Sequence, residues 1–143
     1  MWSIFVWLGA LLYWFMGNCK MAAPRYLTTG KIRQEAPVVA AERAQFALGD
    51  WDALMPLSQY AVGTPEYPDR SATLIVEMER LEAKGTGLRG PGIKERAELS
   101  LPDADAMRSN ARRFPLGVDF FLTCGNRVAA LPRSTRLEDA PCT

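Results

Sequence analysis

The chain has 143 residues, 48% hydrophobic and 23% charged, with 17 Lys plus Arg against 16 Asp plus Glu and no histidine. That is one domain's worth of chain, and its apolar content excludes collagen-like, low-complexity and disordered classes. A net charge of +1 gives no general basic field, so no nucleic-acid partner held through its phosphates is expected. The missing histidine removes Ser-His-Asp triads, Cys-His dyads and His-ligated zinc. Cys19, Cys124 and Cys142 are odd in number and none stands at C-x-x-C spacing, so reduced cytosolic thiols are expected rather than disulfides or a metal cluster.

Residues 1–19 carry no charge, and Lys20, Arg25, Lys31 and Arg33 follow. The run has borderline length for a membrane span, and Trp2, Trp7, Tyr13 and Trp14 suit the headgroup boundary. Three readings stand: an inner-membrane anchor whose trailing cations keep the rest cytoplasmic, a misassigned translation start before a cytoplasmic domain, or a buried core helix. A secretory signal fits less well, because no cation precedes the run and no small-x-small site ends it. The expected division is a hydrophobic leader over 1–20 and a mixed α/β domain over 21–143.

Within that domain, Pro37-Val38-Val39 and Ala44 to Leu48 read as short strands. Asp50 to Leu57 reads as a helix with Asp50 as its cap, and Gly63-Thr64-Pro65 with Tyr67-Pro68-Asp69 marks an irregular loop. Thr73 to Arg80 alternates Leu74, Val76 and Met78 against Glu77 and Glu79, the period-two pattern of a half-buried strand. Residues 102–113 place Pro102, Asp103 and Asp105 early and Arg112-Arg113 late, which suits a helix, and Phe114-Pro115 closes it. Val118 to Cys124 and Arg127 to Leu131 flank Gly125-Asn126 as a hairpin whose first turn residue takes positive φ. Apolar residues on both faces of its first arm predict a sheet covered on two sides.

Gly85-Thr86-Gly87-Leu88-Arg89-Gly90 matches G-x-G-x-x-G literally, but Pro91-Gly92 falls where a helix must begin, and Pro91 occupies the lysine position of a phosphate loop. A turn or strand end is the expectation there, with a nucleotide-binding enzyme as a minor rival. Asp69, Arg70 and Ser71 form a denser cluster. Either Asp69 orients Arg70 toward a carboxylate or phosphate, or Asp69 caps a turn and Arg70 pairs with a nearby acid. Arg133-Ser134-Thr135-Arg136 offers cations and hydroxyls to an anion, or is a solvated strand exit. Glu77 and Glu79 read as exposed acids rather than an acid/base pair.

Four ordered stretches carry a resemblance: Gly63-Thr64-Pro65-Glu66-Tyr67-Pro68-Asp69-Arg70-Ser71-Ala72-Thr73-Leu74; Gly90-Pro91-Gly92-Ile93; Asn110 with Phe114-Pro115-Leu116-Gly117-Val118-Asp119; and Ala130-Leu131-Pro132-Arg133-Ser134-Thr135 with Glu138. Over residues 36–138 the chain resembles the H-subunit family of the bacterial carbon-phosphorus lyase system. The leader is foreign to that family and its longer N-terminal portion is not matched, so the resemblance is to a truncated or rearranged member.

The resemblance implies a noncatalytic, cofactor-free subunit with part of a pyridoxal-phosphate-transferase-like fold, acting in phosphonate catabolism. There the G, H and I subunits, with L, transfer a phosphonate to the ribose of ATP. It further implies a cytoplasmic homodimer that contacts subunits G, I and J and, indirectly, K and L. Asp69, Arg70, Ser71, Asp119, Arg133 and Thr135 become candidates for partner contact or loop bracing, with no catalytic or metal-binding residue among them. Gly90, Gly92 and Gly117 are expected to permit close passage or positive φ, and Pro91, Pro115 and Pro132 to fix entry angles into strands. A small membrane-anchored cytoplasmic domain, or a nonfunctional truncated member, is the alternative.

Overall fold

The computed structural model describes residues 21–22 and 38–138; the leader and residues 23–37 and 139–143 lie outside the described set. The larger sheet has five strands in the order β1 (Met21–Ala22), β2 (Phe46–Asp50), β3 (Thr73–Glu77), β6 (Asp119–Cys124) and β7 (Arg127–Leu131). β1, β2, β3 and β6 are parallel, and β7 returns antiparallel from β6. The smaller antiparallel sheet is β4 (Thr86–Arg89) flanked by β5 (Ala97–Leu99) and β8 (Arg136–Leu137). The class is mixed α/β, as expected. No helix among the described residues is long and apolar enough to cross a membrane.

Local chemistry sets the element ends. The Asp50 carboxylate accepts the Ala53 N–H at 2.8 Å and starts α1 (Trp51–Leu54). Met55 before Pro56 is extended, so the expected helix through Leu57 stops after one turn and a 3-10 turn, Leu57–Gln59, follows. Asp103 caps α2 (Ala104–Ala111) in the same way through the Ala106 N–H at 2.9 Å. The helix expected over 102–113 is therefore shorter at both ends. The strand expected over 44–48 begins only at Phe46, because Ala44 N–H bonds back to Ala41 O and closes the turn Ala41–Arg43. Val38 forms a single bridge rather than a strand with Val39, and Pro37 lies outside the described residues. The hairpin stands as read, with Gly125 at φ 55°.

The parallel strands follow one another across the sheet without reversal, an order in which right-handed crossovers place successive connections on one face. Packing agrees. Ala41 and Ala44 before β2, Trp51, Leu54 and Tyr60 between β2 and β3, and Leu88 and Met107 between β3 and β6 join one core with Ala47, Leu74, Val76, Phe120, Leu122 and Leu131. Trp51 lies 6.2 Å from Phe120, ring centre to ring centre. The opposite face is not covered in the same way. Leu48, Ile75, Phe121 and Ala130 stand outside that core, and Phe121 and Val128 are 40% and 47% exposed. Among the described residues, the two-sided cover expected from the sequence is seen on one face only, the face that carries this core.

Asn110 fastens α2 to β6. Its side-chain amide donates to Val118 O at 2.8 Å and its Oδ1 accepts Val118 N–H at 2.9 Å, satisfying both backbone groups in a buried setting. Gly117 next door has φ +123°, and a Cβ there would stand 2.9 Å from Asn110 Oδ1. The spacing of Asn110 and Gly117-Val118 is thus one packing unit, worth about 1–3 kcal/mol for each backbone partner that would otherwise be orphaned.

Candidate functional site

The family-like stretches converge at the amino ends of β3 and β6. Asp119 opens β6, and Arg133 follows β7, whose antiparallel course returns it to that end. Arg133 Nη2 donates to Asp119 Oδ2 at 2.8 Å, and its Nε and backbone N–H donate to Asp119 Oδ1 at 3.2 and 2.8 Å. Nη1 donates to Gly117 O at 3.2 Å and to Pro68 O. The Arg133 side chain is only 14% exposed and that of Asp119 29%. One planar fork therefore joins β6, the exit of β7, the turn before β6 and the loop at residues 63–71, a geometry for which lysine has no equivalent. Asp119 and Arg133 are a brace rather than an open anion site.

The clamped loop presents Tyr67 and Arg70. Pro68–Arg70 is a 3-10 turn, Thr64 and Tyr67 exchange backbone hydrogen bonds, and Ser71 bridges Val62. Arg70 makes a contact that neither sequence reading gave. It makes no ion pair with Asp69 or another acid among the described residues; its guanidinium carbon sits 4.1 Å from the Tyr67 ring centre. Tyr67 is 51% exposed, and Asp69 and Arg70 are exposed. A cation is thus stacked on an exposed ring, on a loop tied down from below.

Thr135 turns inward and is 2% exposed; its N–H bonds to Pro132 O at 2.9 Å. Gly90 passes so close that a Cβ would lie 3.1 Å from Thr135 Cα. Gly90-Pro91-Gly92-Ile93 is a turn closed by Ile93 N–H to Gly90 O at 3.1 Å, with proline second and Gly92 third at φ +80°, the arrangement of a type II turn. Pro91 and Pro132 thus follow strands rather than setting entry angles into them, while Pro115 lies in the turn before β6, as expected. Thr86–Arg89 within the G-x-G-x-x-G run is a strand with no helix after it, so the dinucleotide reading is excluded.

Sequence reading did not single out a second clasp. Glu138 accepts from Arg89 Nε at 2.6 Å and Arg96 Nε at 2.7 Å, its N–H bonds to Gly87 O at 2.8 Å, and its carbonyl accepts from Arg108 of α2 at 3.3 Å. A Cβ at Gly87 would collide with the Glu138 carboxylate and the Arg96 guanidinium, which explains that glycine without a phosphate. The two arginines hold the Glu138 carboxyl below its ordinary range, the Arg89 hydrogen bond contributing most. The open basin of about 730 Å³ between β4 and α2 contains Lys84, Arg96 and Arg108, but Glu82, Glu98, Glu138 and Asp105 pair with them. Glu138's place beside the fourth family-like stretch was the available signal.

Ligands of open parallel sheets bind at the carboxyl ends of the strands, whereas these motifs gather at the amino ends, where Asp119 and Arg133 are spent on each other. Comparison with known proteins gives the family. A family model described as "Bacterial phosphonate metabolism protein (PhnH)" matches residues 14–138, reaching back beyond the residue-36 limit of the sequence resemblance. The chain belongs to this family. It is 46% identical over 105 residues to the alpha-D-ribose 1-methylphosphonate 5-triphosphate synthase subunit PhnH of Rhizobium meliloti (strain 1021), covering 68% of this chain and 52% of that protein. It is 34% identical over 128 residues to HtxG of Stutzerimonas stutzeri, provisionally named a C-P lyase subunit, covering 83% of this chain and 65% of that protein. The chain therefore spans from about half to just under two thirds of the length of these relatives.

Two outcomes follow from the geometry. Arg133→Met leaves a partly buried carboxylate with only its backbone N–H donor and strips the guanidinium from two carbonyls, lowering unfolding free energy by about 2–3 kcal/mol in urea titration, whereas Arg70→Ala changes it by less than about 1 kcal/mol; equal losses would contradict the division between brace and surface. Glu138 has a lowered carboxyl pKa, so its contribution is full above the unfolded value near about 4.3 and disappears as pH falls through the folded value. Urea midpoints at pH 6 and pH 3 should therefore show wild type losing more stability on acidification than Glu138→Gln; parallel losses contradict the clasp.

Proposed function

We propose that the chain serves as a noncatalytic, cofactor-free subunit in phosphonate catabolism, helping an assembly transfer a phosphonate to the ribose of ATP. The observation that carries this reading is the division of labour among the motif charges: Asp119 and Arg133 are consumed in holding the 63–71 loop, while Arg70 on that loop is presented on the Tyr67 ring. Family membership and the name of the Rhizobium relative support the pathway. The partners in this reading are subunits G, I and J, with K and L reached indirectly, and a second copy of the chain. The compartment is the cytoplasm, and the sheet is part of a pyridoxal-phosphate-transferase-like fold without its cofactor. Arg is enriched among the few residues that dominate interfaces, so Arg70 is the contact residue here and Arg133 acts through the loop it holds.

Co-expression of the tagged full chain with the G, I and J subunits tests this. Wild type should recover all three. Arg70→Ala should weaken their retention by about 5- to 30-fold, equivalent to about 1–2 kcal/mol of interface energy, with an unchanged thermal midpoint. Undiminished retention by the variant would reject Arg70 as the contact. Purification of the wild-type chain alone, or turnover by that isolated chain, would reject the subunit reading itself.

A further inference from the structure

Two exposed aromatic rings stand on loops that are fastened to each other. Phe114 follows α2 and is 60% exposed. Its segment is a run of tight turns: Arg113 N–H bonds to Asn110 O at 3.0 Å, Phe114 N–H to Ala111 O at 3.2 Å and Leu116 N–H to Arg113 O at 2.9 Å. Tyr67 stands on the 63–71 loop. Gly117 N–H bonds to Val62 O at 3.0 Å, and Pro68 O and Gly117 O share one donor, Arg133 Nη1. Tyr67 is next to Pro68 and Phe114 three residues before Gly117, so both rings stand on segments joined at the start of β6. Three arginines accompany them. Arg70, Arg112 and Arg113 are exposed, and none forms an ion pair among the described residues. Arg112 and Arg113 suit the α2 dipole, which accounts for two cations but not for the bare phenyl ring beside them.

The charges decide what fits. A wholly apolar partner would strip water from three guanidinium groups without supplying acceptors. A second copy meeting this surface about a two-fold axis would bring arginines toward arginines. A nucleic-acid backbone would meet Glu66 and Asp69, both exposed on the same loop as Arg70. A protein surface with carboxylates around an apolar hollow supplies acceptors for the arginines and a socket for Phe114, and arginine and aromatic side chains are enriched in such contacts. We propose that Arg70, Arg112, Arg113 and Phe114 form one docking surface for an acidic face of a partner protein in the assembly. This surface rests on the subunit reading above and extends its contact from Arg70 to the second loop.

The test uses the tagged full chain co-expressed with the G, I and J subunits. Arg112→Gln combined with Arg113→Gln and, separately, Phe114→Ser should each lower retention of at least one subunit by about 5- to 30-fold with an unchanged thermal midpoint. Wild-type retention should fall as NaCl rises from about 50 to about 500 mM, and the fall should be shallower in the double glutamine variant, whose missing contact is charge to charge. With p-benzoylphenylalanine at Phe114 and both arginines in place, irradiation should join the chain to a subunit that the glutamine variant retains poorly. Undiminished retention by either variant, equal salt dependence, a dimer-mass product or no cross-link overturns the proposal while leaving the subunit reading in place. Recovery of no subunit by wild type rejects the subunit reading and this surface with it.

Discussion

The Arg133 guanidinium, held by Asp119, is the interaction on which the motif-bearing end of the molecule depends. Its donors reach β6, the turn before β6 and the loop at residues 63–71, elements far apart in sequence. Without it, the Asp119 carboxylate and two loop carbonyls would face one another with no common donor, and the amino ends of β3 and β6 would lose their shared fastening. The Asn110 contact to Val118 works beside it, positioning the residue just before Asp119 and bringing α2 onto the same strand. The Glu138 clasp repeats the principle at the smaller sheet with carboxylate and guanidinium roles exchanged: one acid gathers two arginines.

This economy of charge bears on function. An enzyme site keeps charged groups free to meet substrate and gathers them at the carboxyl ends of parallel strands. Here Asp119 and Arg133 satisfy each other at the amino ends, while Glu66, Asp69 and Arg70 are exposed and Arg70 stacks on Tyr67, on a loop that Arg133 holds through Pro68 O. Preorganisation of that kind lowers the entropy lost on association. The clamps account for part of the charge that these motifs carry.

What could be read from the sequence followed the range of the forces involved. The Asp50 and Asp103 caps, the Thr73 strand and the Gly125-Asn126 hairpin are local, set within a few residues by capping, alternation or turn geometry. Distant partners were out of reach: Gly87 yields to Glu138 across 51 positions. The Arg70–Tyr67 stack, three residues apart, was missed for a different reason, since only acids were weighed as partners for the guanidinium. Asp119 and Arg133 were named separately from family-like motifs; only the fold brought them together. The start of β2 was misplaced because alanines at 40, 41 and 44 suit a tight turn as well as a strand.

The central claim is that Asp119 and Arg133 act as one structural unit. A double-mutant cycle with Asp119→Ala, Arg133→Ala and the double variant, read by urea unfolding, measures this directly. The account predicts a coupling of at least about 1.5 kcal/mol, with the double variant little worse than either single one. Additive losses, with coupling below about 0.5 kcal/mol, would contradict it.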